Sequence, residues 1–181
     1  VRPGGGIETE VKLRVPDRRA AVERLLALGA SLARPRHLED NLLFDFPDGR
    51  LRGAGQTLRL RRTGERSGLL TCKGPVEGAL RVKARQETEL VVSDSEAMEA
   101  ILLALGLVAC FRYQKRREAW SWRDAEIAVD ETPVGVFLEV EASPGRIEEV
   151  ARALGFSPAD FITASYPELH AASGREGDMT F

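Results

Sequence analysis

Charged and apolar residues alternate through the opening segment Ile7-Glu8-Thr9-Glu10-Val11-Lys12-Leu13, and the alternation returns in segment after segment of the chain. In a strand, successive side chains leave on opposite faces, so Glu8, Glu10 and Lys12 share one face and the aliphatic residues the other. One such strand is ordinary, with its charged face in water. Repetition constrains the fold much more. Arg59 and Arg61 oppose Leu58 and Leu60, and Thr71 and Lys73 share a face. Arg85, Glu87 and Glu89 follow, then Lys115 and Arg117 against Arg116, Glu118 and Trp120. Asp130 comes next, and Glu139 and Glu141 oppose Leu138 and Val140. Many strands with one apolar face and one face of both charge signs predict a closed sheet with a charged interior.

The remaining segments supply helices to cover the apolar side. Pro16-Asp17 opens a helix with an apolar stripe at Ala21, Val22, Leu25, Leu26 and Leu28, and Gly29 ends it. Residues 31–46 read as extended, and Pro47-Asp48-Gly49 as a turn. Strands are expected over 57–63, 68–74, 81–92, 110–122, 125–131 and 135–142. Ser93-Asp94 caps a second helix that stops at Gly106; 146–156 reads as a third, and Ser157-Pro158 starts a fourth. The layout suggests two βα-type halves in an α+β fold, with helices outside a barrel. Residues 1–6 and 173–181 read as tails around a single domain over 7–172.

Composition narrows the partners. The net charge of −2 gives no overall field for nucleic acid or membrane, so any anion site must be local. Arg59-Leu60-Arg61-Arg62 and Lys115-Arg116-Arg117 could be solvated basic patches or RNA contacts, but no aromatic stacking stripe accompanies them. Cys72 and Cys110 have neither metal-knuckle spacing nor the density of a disulfide framework. With two histidines, a His-rich zinc site is not expected. No signal-peptide pattern or bilayer-length apolar run stands out, and a cytoplasmic location is expected.

Ions facing inward need partners, because uncompensated burial costs several kcal/mol for each. Mixed signs supply part of the pairing and leave a polar channel. Arginine offers forked contacts and lysine a point charge, a combination suited to a polyphosphate. Clustered carboxylates suit hard, oxygen-seeking cations such as Mg2+ or Mn2+. A phosphate chain bridged to carboxylates by metal would satisfy both sets.

In order along the chain, ExExK at 8–12, RxR at 59–61, Lys73, ExE at 87–89, KxR at 115–117, Asp130 and ExE at 139–141 resemble the CYTH domains, also called triphosphate tunnel metalloenzymes. Ser165-Tyr166 is similar to that family's C-terminal signature, and the resemblance runs from about Glu8 to Leu169. It implies an eight-stranded antiparallel barrel, open as a tunnel, that binds triphosphates with Mg2+ or Mn2+. By that likeness Lys12, Arg59, Arg61, Lys73, Lys115 and Arg117 hold the triphosphate. Glu8, Glu10, Asp130, Glu139 and Glu141 are the metal candidates, and Glu87 and Glu89 bind a second metal or orient the basic residues. Glu10 and Lys115 are the catalytic candidates.

The expected activity is hydrolysis of inorganic triphosphate, thiamine triphosphate or a nucleoside triphosphate. A class IV adenylate cyclase is the alternative from the same family, and a non-catalytic polyphosphate-binding module the alternative from another class. The expected partner is a small-molecule triphosphate, with no nucleic acid or membrane, and the protein is read as a monomer or homodimer. The 47–56 and 74–80 loops are the expected places for substrate selection.

Overall fold

The computed structural model describes residues 6–76 and 83–181, without the side chains of Ile7, Glu8, Lys83 and Pro144. Eight strands close an antiparallel barrel. They are β1 (Gly6–Val15), β2 (Ser31–Asp45), β3 (Thr57–Arg62), β4 (Gly68–Val76), β5 (Lys83–Val92), β6 (Val108–Trp122), β7 (Ala125–Thr132) and β8 (Gly135–Glu141). Their order around the barrel is β1-β5-β4-β3-β2-β6-β7-β8, and β8 pairs back onto β1. Exchanging each strand for the one four places on leaves every neighbour relation unchanged. The two halves suggested by the sequence are therefore present in the topology, although their residues scarcely repeat.

The helices are α1 (Arg18–Leu28), α2 (Arg50–Gly53), α3 (Ser95–Ala104), α4 (Pro144–Ala153) and α5 (Tyr166–Ala172). Asp17 caps α1 by accepting from the Ala20 amide, and Gly29 ends it with the left-handed φ of 77° that glycine tolerates best. Asp94 caps α3 in the same way, accepting from the Glu96 and Ala97 amides.

Two apolar layers lie between helices and barrel. Val11, Leu13, Ile127, Val129, Leu138 and Val140 pack with Ala21 and Leu25 of α1 and Ile147 and Val150 of α4. Leu42, Phe44, Leu60 and Val92 pack with Leu102 and Leu107 around α3. Full burial of each large aliphatic contributes about 1.5–3 kcal/mol. The apolar faces therefore hold the helices, and the charged faces close on one another inside.

Three segments depart from the sequence reading. A short helix, α2, follows the turn at 47–49, because Asp45 accepts from the amides of Leu51 (2.9 Å) and Arg52 (3.0 Å). Ser157-Pro158 starts only one 3-10 turn, Pro158–Asp160. The chain then runs extended to pair Ile162 with Lys12 through two 2.9 Å backbone bonds, beyond the point where β5 leaves β1. The last helix begins instead at Tyr166, where Ser165 and Glu168 form a capping box.

The third departure is the end of the chain, expected as a tail. Met179 donates its amide to Arg112 (2.9 Å) and accepts from Gln114 (2.8 Å), along a stretch of β6 that β7 does not reach. Its side chain is buried against Tyr113, Phe137 and Tyr166. Of the expected strand at 81–92, residues 81 and 82 lie outside the described residues, as do 77–80 of the second candidate loop. No described helix is long and apolar enough to cross a membrane.

Candidate functional site

The register brings β1, β6, β7 and β8 together as one wall of the tunnel. Lys12 is buried between Glu10 (3.3 Å) and Glu139 (3.5 Å). Burial alone would lower its pKa, but the two carboxylates outweigh burial and raise it, so the ammonium stays charged. Asp130, with no exposed surface, accepts from Lys115 Nζ (2.9 Å), Tyr166 Oη (2.7 Å) and both Arg117 Nε (2.7 Å) and Arg117 Nη2 (2.6 Å). Arg117 also donates to Glu139 at 2.7 Å, and Tyr166 reaches the same carboxylate at 3.2 Å. Burial opposes the charge on Glu139, yet Arg117, Lys12 and Lys115 hold its carboxyl well below the usual range. Tyr166 goes the other way: burial, with Asp130 and Glu139 beside it, pushes its phenol well up.

The opposite wall, β3, β4 and β5, is less saturated. Arg59 donates to Thr71 Oγ1 at 3.1 Å and to Tyr113 Oη at a long 3.4 Å, while its buried Nε has no hydrogen-bond partner among the described residues. Arg85 likewise has a buried Nε without such a partner, and reaches Thr57 only at 3.4 Å. Lys73 pairs with Glu87 at 2.9 Å, and Thr71 donates to Glu89 at 2.9 Å. Glu87 and Glu89 thus lie against the basic and hydroxyl groups of this wall.

Between the walls is a cavity of about 100 Å3. Its lining holds five cationic side chains, those of Lys12, Arg59, Lys73, Arg85 and Lys115, with the carboxylates of Glu10 and Glu139 and the rings of Tyr113 and Tyr166. A larger cavity of about 430 Å3 adjoins it, sharing Leu43, Thr57, Arg85, Ser165 and Pro167. Phe46, Pro47, Asp48, Gly49 and Arg52 wall this second space, so the 47–56 segment stands at the mouth.

Other expected site residues are placed differently. Arg61 turns to Glu39 (2.8 Å) and Asn41 (3.0 Å) instead of lining the cavity, and Arg117 and Asp130 are committed to each other. Glu141 stands in register with Glu10 on one side and Glu126 on the other. The backbone of Glu8 pairs with Arg85 on β5, but its side chain lies outside the described ones.

Sequence reasoning missed Glu39, Asn41 and Tyr113. Glu39 is buried beside Lys115 (3.6 Å) and Arg61. Burial opposes its charge, but Lys115 and Arg117 above all hold it well below the usual carboxyl range. Its signal was present: Glu39, Asn41 and Leu43 alternate with Asp40, Leu42 and Phe44, the pattern used for every other strand. Tyr113 extends the alternation of Lys115 and Arg117 by one step toward the N-terminus.

The donors fit a hard divalent cation in kind. Glu10 and Glu139 present carboxylates at the cavity, and the Glu10–Glu141–Glu126 row sets like charges side by side, which a cation would relieve. Among the described residues no three His, Cys, Asp or Glu side chains are gathered closely enough to enclose an ion. Asp130 has its oxygens occupied by Lys115, Arg117 and Tyr166.

Comparison with known proteins agrees with this architecture. The profile of the CYTH domain matches residues 6–166. A Methanocaldococcus jannaschii protein named as a candidate adenylate cyclase is 31% identical over 174 residues, covering 90% of this chain and 98% of its own. Among solved structures, the Pyrococcus horikoshii protein PH1819 superposes with a TM-score of 0.79 at 23% identity, covering 93% of this chain and 99% of its own. A Hippeastrum protein, described as a candidate adenylyl cyclase with a dominant triphosphatase activity, superposes with a TM-score of 0.69 at 21% identity, over 93% of this chain and 97% of its own.

Proposed function

The chain belongs to the CYTH domain family, and on that premise we propose that it is a divalent-metal-dependent triphosphatase acting inside the barrel. The observation that carries the reading is the cavity with five cations and two carboxylates around one small volume. So dense a cationic set calls for a multiply charged anion, and the carboxylates for a cation bound with it.

In this reading Arg59, Lys73, Arg85, Lys115 and Lys12 bind the phosphate oxygens and take up charge that develops as the anhydride bond breaks. Arg61 and Arg117 act through Glu39 and Asp130, which they hold in place and which in turn fix Lys115. Glu10, Glu139 and Glu141, with Glu8, would hold Mg2+ or Mn2+, which when bound neutralises phosphate charge and polarises the P–O bonds. Glu87 and Glu89 orient Lys73 and Thr71. Glu10 positions the attacking water and accepts its proton as the new P–O bond forms at the terminal phosphorus. The diphosphate, pyrophosphate from inorganic triphosphate or ADP from ATP, leaves with the electrons of the broken anhydride bond, and Lys115 stabilises the charge that develops.

Adenylate cyclase chemistry is the second reading, favoured by the name of the 31% identical relative and by the adjoining 430 Å3 cavity, which offers room for a nucleoside. There a ribose hydroxyl attacks the α-phosphorus, loses its proton, and pyrophosphate leaves. Phosphorus NMR with Mg2+ or Mn2+ separates the two. Orthophosphate and pyrophosphate from inorganic triphosphate, or orthophosphate and ADP from ATP, are the expected products. Pyrophosphate and cyclic AMP from ATP would overturn the hydrolase reading.

A further inference from the structure

Both tyrosines of the chain stand in the tunnel, and their hydroxyl protons have different fates. Tyr166 donates to Asp130 (2.7 Å) and reaches Glu139 (3.2 Å). Tyr113 is just as buried and its ring also lines the cavity, yet among the described residues its hydroxyl only accepts, from Arg59 Nη1 at 3.4 Å. Among the described residues no group accepts the Tyr113 proton. The same Arg59 has a buried Nε without a partner. Two adjacent donors therefore remain unused beside one cavity, where a bound acceptor would satisfy both.

We propose that the Tyr113 hydroxyl is a ligand contact, donating its proton to an oxygen of the bound triphosphate beside Arg59. The inference rests on the triphosphate reading and adds to it a directional, uncharged donor. Lysine supplies charge with little angular preference. A phenol O–H is fixed in direction by its ring, and this ring is held by Phe111 and Tyr166, each with its centroid 6.3 Å away. Tyr113 would thus help set which phosphate oxygen lies against Arg59, and so the register of the chain of phosphates in the tunnel.

The surroundings add a consequence for pH. Facing the phenol are Arg59 and Arg61 from β3 and Lys115 from its own strand; the Tyr166 ring lies tilted beside it, and Glu10 and Glu139 lie on the same cavity. Burial tends to raise the phenol pKa, but the three cations outweigh it and lower it. A phenolate would place negative charge where the triphosphate binds. Affinity therefore falls as pH rises through the phenol pKa, and bound triphosphate raises that pKa in return.

Calorimetric titration of the full chain with imidotriphosphate, the analogue whose P–N–P bridges resist hydrolysis, and Mg2+, from about pH 7 to pH 10, tests this against Tyr113→Phe. The expected result at pH 7 is a Kd weakened about 10- to 100-fold in the variant, the loss of a hydrogen bond to a charged group. The alkaline weakening of the parent protein should be absent from the variant. Equal Kd values and equal pH dependence would overturn the inference and leave the triphosphate reading standing. No binding by the parent protein would overturn both. Tyrosinate absorbance of the parent gives a second readout that needs no variant: one tyrosine should titrate early and be driven upward by triphosphate, and an unmoved titration with triphosphate bound would also refute the contact.

Discussion

The two walls of the tunnel use the same residue types to opposite ends. On β6, β7 and β8, Asp130, Arg117, Lys115 and Glu139 engage one another and Tyr166 of α5 at 2.6–3.2 Å, in a dense network. On β3, β4 and β5, Arg59 and Arg85 each have a buried Nε to spare and one long 3.4 Å contact to a hydroxyl, beside the 3.1 Å bond from Arg59 to Thr71. Charge alone therefore does not mark the part of this tunnel that would meet the proposed ligand. The saturated wall offsets its own desolvation and serves as a rigid support. The unsaturated wall, with Lys115 and Lys12 reaching across, is where the proposed anion would find unspent donors.

The comparison can be broken by substitutions of unlike consequence. Chelation with EDTA should bring triphosphate turnover to background, and added Mg2+ or Mn2+ should restore it; turnover that persists in EDTA would remove the metal from the account. On the unsaturated wall, Arg59→Ala should lower kcat/KM about 100- to 1,000-fold with little change in melting temperature. Asp130→Ala on the other wall leaves Lys115 and Arg117 buried without their shared carboxylate. It should cost about 3–5 kcal/mol of stability and lower the melting temperature by roughly 10 °C, read by calorimetry.

Smaller effects sharpen the contrast. Tyr166→Phe should cost about 1–3 kcal/mol, whereas Tyr113→Phe should leave stability nearly unchanged. The raised folded-state pKa of Tyr166 makes its contribution complete below the unfolded value of about 10, and lost as pH rises toward the folded value. Denaturant midpoints from about pH 9 to pH 11 should therefore fall less steeply in Tyr166→Phe. At the acid end Glu39 and Glu139, both depressed when folded, contribute stability above about pH 4.3 that is lost as pH falls through their folded pKa values. Glu39→Gln should flatten that acid limb.

Much of the barrel was legible because period-two alternation and the helix caps are local signals. Glu10, Lys12, Arg59, Lys73, Lys115 and Glu139 read as inward-facing from alternation alone, and they line the cavity. The division between the walls was not legible, since it depends on which charged side chains meet across strands distant in sequence. Arg61 and Arg59 are two residues apart on one face, yet only the first finds a buried carboxylate, Glu39. The C-terminal residues were misread for a related reason: Met179 is held by an unpaired edge of β6, which no periodicity in its own segment records.

A crystal structure of the protein with imidotriphosphate, which resists hydrolysis, and Mn2+ tests the account most directly, because Mn2+ also marks its own position by anomalous scattering. The expected result is phosphate oxygens within hydrogen-bond distance of Arg59, Lys73, Arg85, Lys115 and Tyr113, with Mn2+ on Glu10, Glu139 or Glu141. The Asp130–Arg117–Tyr166 network should be unchanged. Triphosphate bound outside the tunnel, or bound by opening that network while Arg59 and Tyr113 stay apart from it, would contradict the account.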